Sequence, residues 1–168
     1  MQLLITKDVN INVCPLPGDL SDITNATLGD LHGNALKLLF FLTYLGIFQI
    51  NEEIYKRLVH IYHTPTAALT QELLDEFDFI VGDIPILNRT LLVRLIGDEL
   101  ADRGSNDYFT LRILEKLYLE EIPIEILLSN HGIGFIEAYE DKPTFLYDNL
   151  GSDYATSLYN LQTMIDMK

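Results

Sequence analysis

Three short stretches constrain this chain more than anything else in it. They are Gly29-Asp30-Leu31-His32-Gly33-Asn34, Gly97-Asp98-Glu99-Leu100-Ala101-Asp102-Arg103-Gly104 and Ser129-Asn130-His131-Gly132. Each joins small residues to carboxylate, amide or imidazole side chains. Each also follows directly on an apolar run that reads as a buried strand. Ligand-bearing loops at the carboxyl ends of strands are where open α/β sheets build their sites.

The segments around these stretches support that reading. Residues 23–28 form a short apolar run stopped by Gly29-Asp30, and Asn34 is placed to cap the helix that follows. Leu36, Leu39, Phe40 and Thr43 give that helix a broad apolar face. Residues 90–96 form a second strand, again ending in Gly-Asp. Ser105 and Asn106 are N-cap candidates for a helix carrying Phe109, Ile113, Leu114 and Leu117 at helical spacing through Tyr118. Residues 122–128 form a third strand, with Pro123 at its start where a missing N–H does least harm. Asp98 and Asn130 lie 32 residues apart, about the length of one βαβ unit. The expected fold class is therefore α/β, with three or four parallel strands flanked by helices.

Residues 46–89 form an insertion that the spacing of the three stretches does not require. Within it, 51–62 and 70–79 read as helices and 82–85 as a turn. The insertion is expected to be an extra layer on the core rather than a cap over the site. Beyond His131 the chain is Tyr-rich and acidic, with a turn expected near 141–143 and a helix from 152 onward.

Composition narrows the function classes. Eleven Lys and Arg stand against 25 Asp and Glu, for a formal charge of -14 over 168 residues. So acidic a surface repels nucleic acid and anionic membranes, which are bound chiefly by neutralising phosphates. A phosphorylated substrate would be repelled as well, unless bound cations reverse the local field. The single cysteine, Cys14, excludes an internal disulfide and suits a reducing compartment. Residues 1–8 lack the basic-then-apolar plan of a signal peptide. No segment is apolar for long enough to span a bilayer. A cytoplasmic, soluble chain is expected.

In the order GDxHG, GDx(x)xDRG and NH, the three stretches resemble the calcineurin-like metallophosphoesterases, in the branch of the phosphoprotein phosphatases. The flavour of GDLHGN and ADRG-x-ND is similar to secreted phosphatase-like effectors of intracellular bacteria, which act inside a host cell. The resemblance implies half of an αββα sandwich and hydrolysis of phosphoesters by water activated between two divalent ions, Mn, Fe or Zn. It implies metal ligation by Asp30, His32, Asp98 and Asn130. It casts His131 as the general acid, held by Asp102, with Arg103 gripping the phosphate. The residue types suit those roles: a position shared by two metals wants a carboxylate, proton donation near pH 7 wants an imidazole, and a guanidinium presents a planar fork to phosphate. The implied partner is a phosphorylated protein or small phosphoester. A dinucleoside polyphosphate hydrolase would carry the same motifs. A catalytically incomplete scaffold acting as a protein-binding module is the other open reading.

The chain departs from the family pattern in three ways. The second stretch has one extra residue between Asp98 and Asp102 compared with GDxxDRG. The third lacks the usual Gly at its start and the usual Glu at its end, where Gly132 stands. The family also draws two further histidines from the second half of its fold, and this chain has none after His131. His60 and His63 share a helical face by their spacing but lie in the insertion, where solvated helix histidines are expected. Asp148, Asp153 and Asp166 are candidate substitutes in the tail. The chain is accordingly expected to form a single domain over 1–168 that is incomplete on its C-terminal side. The missing half would be supplied by further chain or by a homodimer partner.

Overall fold

The computed structural model describes residues 9–18, 20, 22–140 and 156–167. Three strands, β1 (Asn25–Gly29), β2 (Leu92–Ile96) and β3 (Ile124–Leu127), pair in parallel in the order β1-β2-β3. Gly29 is in register with Ile96, and Ile96 with Leu127, so the three strands end level with one another. The three motif stretches therefore leave the sheet from the same edge.

Helix α1 (Ala35–Tyr44) starts on Asn34, whose side chain accepts a hydrogen bond from the Lys37 N–H. Helix α4 (Asp107–Leu119) starts on Asn106, whose side chain accepts from the Tyr108 N–H at 3.0 Å. Both caps are Asn residues already legible in the sequence. Between these helices run α2 (Glu52–His63), capped by Asn51, and α3 (Gln71–Asp83), capped by Thr70. The turn expected over 82–85 begins later than the sequence implies. Helix α3 continues through Gly82 and Asp83, and the chain becomes extended only at Ile84, which precedes Pro85. Proline forces that change on the residue before it, not on residues further back.

Helices α2 and α3 share one hydrophobic core with the rest of the described chain. Tyr55, Leu58, Ile61, Leu74 and Phe77 are buried in the same cluster as Leu38, Leu42, Phe109 and Leu117. Phe109 lies at the centre of it, with its ring 4.6 Å from that of Phe77 and 5.7 Å from those of Tyr62 and Tyr108. Inserted helices that bury this much against α4 form a packed layer, as the sequence implied.

The third motif stretch opens a helix, α5 (Asn130–Glu140), that the sequence pattern does not predict. A last helix, α6 (Thr156–Met167), packs on α4 through Leu158, Leu161 and Met164. The turn expected at 141–143 lies outside the described residues. The sheet is covered unevenly: Ile96, Ile126, Leu127 and Leu128 are all exposed by more than 40%. An open sheet of this kind leaves apolar surface in water. No helix among the described residues is long and apolar enough to cross a membrane.

Candidate active site

The loops after β1 and β2 are bound to one another by backbone hydrogen bonds. The Asp30 N–H donates to the Ile96 carbonyl, the Leu31 N–H to that of Gly97, and the Gly33 N–H to that of Asp98. Their approach leaves no room for a side chain at Gly104, where a Cβ would overlap the Gly33 carbonyl oxygen. Among the described residues, five other than glycine have positive φ. Four of them are Asp30, His32, Asp98 and Ala101, all in these two loops. Backbone of this kind costs free energy and persists only where the surroundings impose it, and it concentrates at functional sites.

Those turns bring His32, Asp98 and Asp102 together, with one ligand atom from each lying within 4.8 Å of the others. His32 Nδ1 is 2.6 Å from Asp102 Oδ2 and 3.6 Å from Asp98 Oδ2. The environments differ in a useful way. Asp102 is 2% exposed in its side chain, whereas His32 and Asp98 are 35% and 22% exposed and open to a ligand. An imidazole and two carboxylates converging from one side suit a single divalent cation of the Mn, Fe or Zn type. Asp30 stands at the head of the same loop, exposed, with its Oδ1 against Gly97. Arg103 is 62% exposed. Its Nε is 3.3 Å from Asp102 Oδ1, and its Nη2 lies 3.1 and 3.2 Å from the two ring nitrogens of His32.

The structure gives Asp102 a different neighbour from the one the sequence resemblance implied. Its carboxylate holds His32, while His131 is oriented by a backbone group: His131 Nδ1 lies 2.7 Å from the Ala101 carbonyl oxygen. A carbonyl can only accept, so Nδ1 carries the proton of the neutral ring and Nε2 is left for chemistry. Ala101 itself has a left-handed backbone within this longer loop, and its carbonyl is the one that reaches His131. Asn130 is exposed at the first position of α5, beside His131.

Other predicted candidates stay apart. His60 and His63 are exposed on α2, and His63 Nε2 is 2.7 Å from Asn12 Oδ1. They end a helix, where imidazoles favour the dipole, and belong to no metal-type cluster among the described residues. Asp148 and Asp153 lie outside the described residues, as does the side chain of Asp166. A hollow of about 380 Å³ lined by Gln49, Ile54, Phe79, Ile80 and Asp83 contains none of the motif residues.

Two buried acids went unnoticed in the sequence. Glu99, 4% exposed, accepts from the Ser129 hydroxyl at 3.0 Å. Asp107, fully buried, accepts from the Ala101 N–H at 2.9 Å through Oδ2. Its other oxygen has no well-formed hydrogen bond among the described residues, with the Ser157 hydroxyl close by. Burial pushes the Asp107 carboxyl up to about 7, against the opposing pull of the Ala101 N–H. Nothing local in the sequence marks either residue as buried.

Comparison with known proteins now fits the geometry. Residues 92–168 match the WipA-like phosphatase domain family, a stretch that begins at β2 and holds the second and third motif stretches. The fold superposes on the crystal structure of the phosphatase domain from the Legionella effector WipB with a TM-score of 0.71 and 36% sequence identity. The chain is similar to these effector phosphatase domains. The match covers 86% of this chain and 55% of the WipB domain, so the chain spans little more than half of that relative's length. Curated proteins give no match.

Proposed function

We propose that this chain carries the metal-binding and proton-donating half of a metal-dependent phosphoesterase of the calcineurin-like kind, acting on the phosphomonoesters of phosphoproteins. The observation that carries the reading is the convergence of His32, Asp98 and Asp102 within 4.8 Å, on loops of a fold shared with an effector phosphatase domain. Asp30, His32, Asp98 and Asn130 would hold the divalent ions. Bound there, such ions would supply water activation and neutralise the phosphoryl oxygens.

The chain's own groups supply the remainder. Arg103, exposed beside Asp102 and the His32 ring, presents its guanidinium to the phosphate. His131 acts as the imidazolium: it delivers the Nε2 proton to the leaving oxygen and is left neutral, with its Nδ1 proton still on the Ala101 carbonyl. Asp102 orients His32 through Nδ1, the usual arrangement behind a metal-binding imidazole, and an ion at Nε2 would take the place of Arg103 Nη2, 3.2 Å away. Similarity to a Legionella effector, WipB, supports a secreted phosphatase that works inside a host cell.

Hydrolysis of p-nitrophenyl phosphate by this chain, with and without added Mn²⁺, tests the reading, with Asp98→Asn in parallel. Metal-dependent turnover abolished by Asp98→Asn is expected. Undiminished turnover in that variant would remove Asp98 from the site, and absence of turnover by folded wild-type protein would leave a scaffold.

A further inference from the structure

Helix α5 begins with a cap whose parts come from two different loops. Ser129 is its N-cap: the Ser129 carbonyl accepts from the Ile133 N–H at 2.9 Å, and Ser129 Oγ accepts from the Gly132 N–H at 2.9 Å. In a capping box, the residue three after such a serine is Glu or Gln, whose side chain turns back on the cap. Here that residue is Gly132, which has no side chain. The space is filled from elsewhere, since a Cβ on Gly132 would overlap Glu99 Oε1. Glu99 Oε2 meanwhile accepts from the Ser129 hydroxyl, and the residue is only 4% exposed.

We propose that Glu99 completes the cap of α5 from the second motif, in place of a carboxylate at Gly132, and is a positioning residue for Asn130 and His131. It gives one explanation for two departures in the sequence. The second stretch carries an extra residue, and the third ends in glycine; the carboxylate absent from position 132 arrives from position 99. It takes the Ser129 hydroxyl rather than a backbone N–H, so the hydroxyl is held between Glu99 Oε2 and the Gly132 N–H. A negative charge at a helix N-terminus is favoured by the helix dipole as well. The same junction carries the bond between His131 and the Ala101 carbonyl. Two contacts thus lock the first turn of α5 to the loop that holds Asp98 and Asp102. The part of this proposal that concerns turnover rests on the roles of Asn130 and His131 given above.

The decisive experiment moves the carboxylate. Wild-type protein, Glu99→Ala and the double variant Glu99→Ala/Gly132→Glu are compared by two readouts. One is Mn²⁺-dependent hydrolysis of p-nitrophenyl phosphate, and the other is hydrogen exchange of the Gly132 amide by NMR. Glu99→Ala is expected to lower kcat about tenfold with little change in KM, and to speed exchange at Gly132 by a similar factor. The double variant is expected to recover most of both. Unchanged exchange in Glu99→Ala, or a double variant no better than the single, would overturn the proposal. Should wild-type protein show no turnover, the phosphoesterase reading fails and amide exchange alone decides the cap. Should Glu99→Ala not fold, Gly132→Ala serves in its place. By helix propensity it favours α5, whereas by displacing the Glu99 carboxylate it is expected to loosen it. Slower exchange across 130–133 in Gly132→Ala would count against the cap.

Discussion

Ser157 and Asp102 exchange two hydrogen bonds across 55 residues of chain. The Ser157 N–H donates to the Asp102 carbonyl at 3.0 Å, and the Asp102 N–H donates to Ser157 Oγ at 2.9 Å. A second such exchange lies alongside. Asn160 Nδ2 donates to the Ser105 carbonyl at 2.6 Å, and Asn106 Nδ2 to that of Asn160 at 3.2 Å. The last helix is thus fastened to the backbone of the second motif loop, and the buried Asp102 carboxylate aims at His32 from a loop held on both sides.

Ser157→Ala removes the acceptor for the Asp102 N–H and leaves a buried donor unpaired. A loss of about 1–3 kcal/mol in unfolding free energy is expected. Asp102 amide exchange should rise more than exchange in β2. Urea denaturation with NMR exchange measures both, and an unaltered Asp102 amide would show that α6 merely rests on the loop.

His131→Ala is expected to lower kcat by roughly 10²- to 10⁴-fold, the usual range for a proton donor, with KM little changed. The loss should be greater for an alkyl phosphate than for p-nitrophenyl phosphate, whose leaving group needs less help. Equal losses for the two substrates would remove His131 from the donor role.

Gly104→Ala places a methyl group on the Gly33 carbonyl oxygen. Backbone cannot yield as a flexible side chain can, so the two loops must separate. A cost of about 3 kcal/mol or more is expected, together with weaker Mn²⁺ binding as His32 and Asp102 part. Calorimetry of unfolding and of metal binding would reveal the two effects together.

Asp107 makes stability depend on pH. Burial lifts its carboxyl from 3.8 to about 7. Between those values the folded chain keeps a proton that the unfolded chain releases, so stability falls as pH rises. The contribution is complete below 3.8 and is lost as pH climbs through about 7, by at most roughly 1.4 kcal/mol per pH unit. Asp107→Asn, which keeps an acceptor for the Ala101 N–H, should flatten unfolding free energies measured from pH 4 to 8. A slope unchanged by the substitution would place the dependence elsewhere.

Local sequence determined a good deal of this protein. Strands bounded by Gly-Asp and the caps at Asn34 and Asn106 depend on neighbours within a few residues, so periodicity and side-chain chemistry were enough to place them. The parallel arrangement followed from strand-helix-strand spacing. The gathering of His32, Asp98 and Asp102 was legible because they stand in the loops just past the strand ends, which a parallel sheet brings level. Which atom meets which was decided only by tertiary structure. The choice of His32 rather than His131 as the partner of Asp102, the hold of the Ala101 carbonyl on His131, the contact of Glu99 with Ser129 and the tie from Ser157 all join residues 30 to 70 positions apart. No local pattern encodes such pairs. They arise only once folding packs the loop after β2 against α5 and α6, so that buried hydrogen-bonding groups find their partners across the fold.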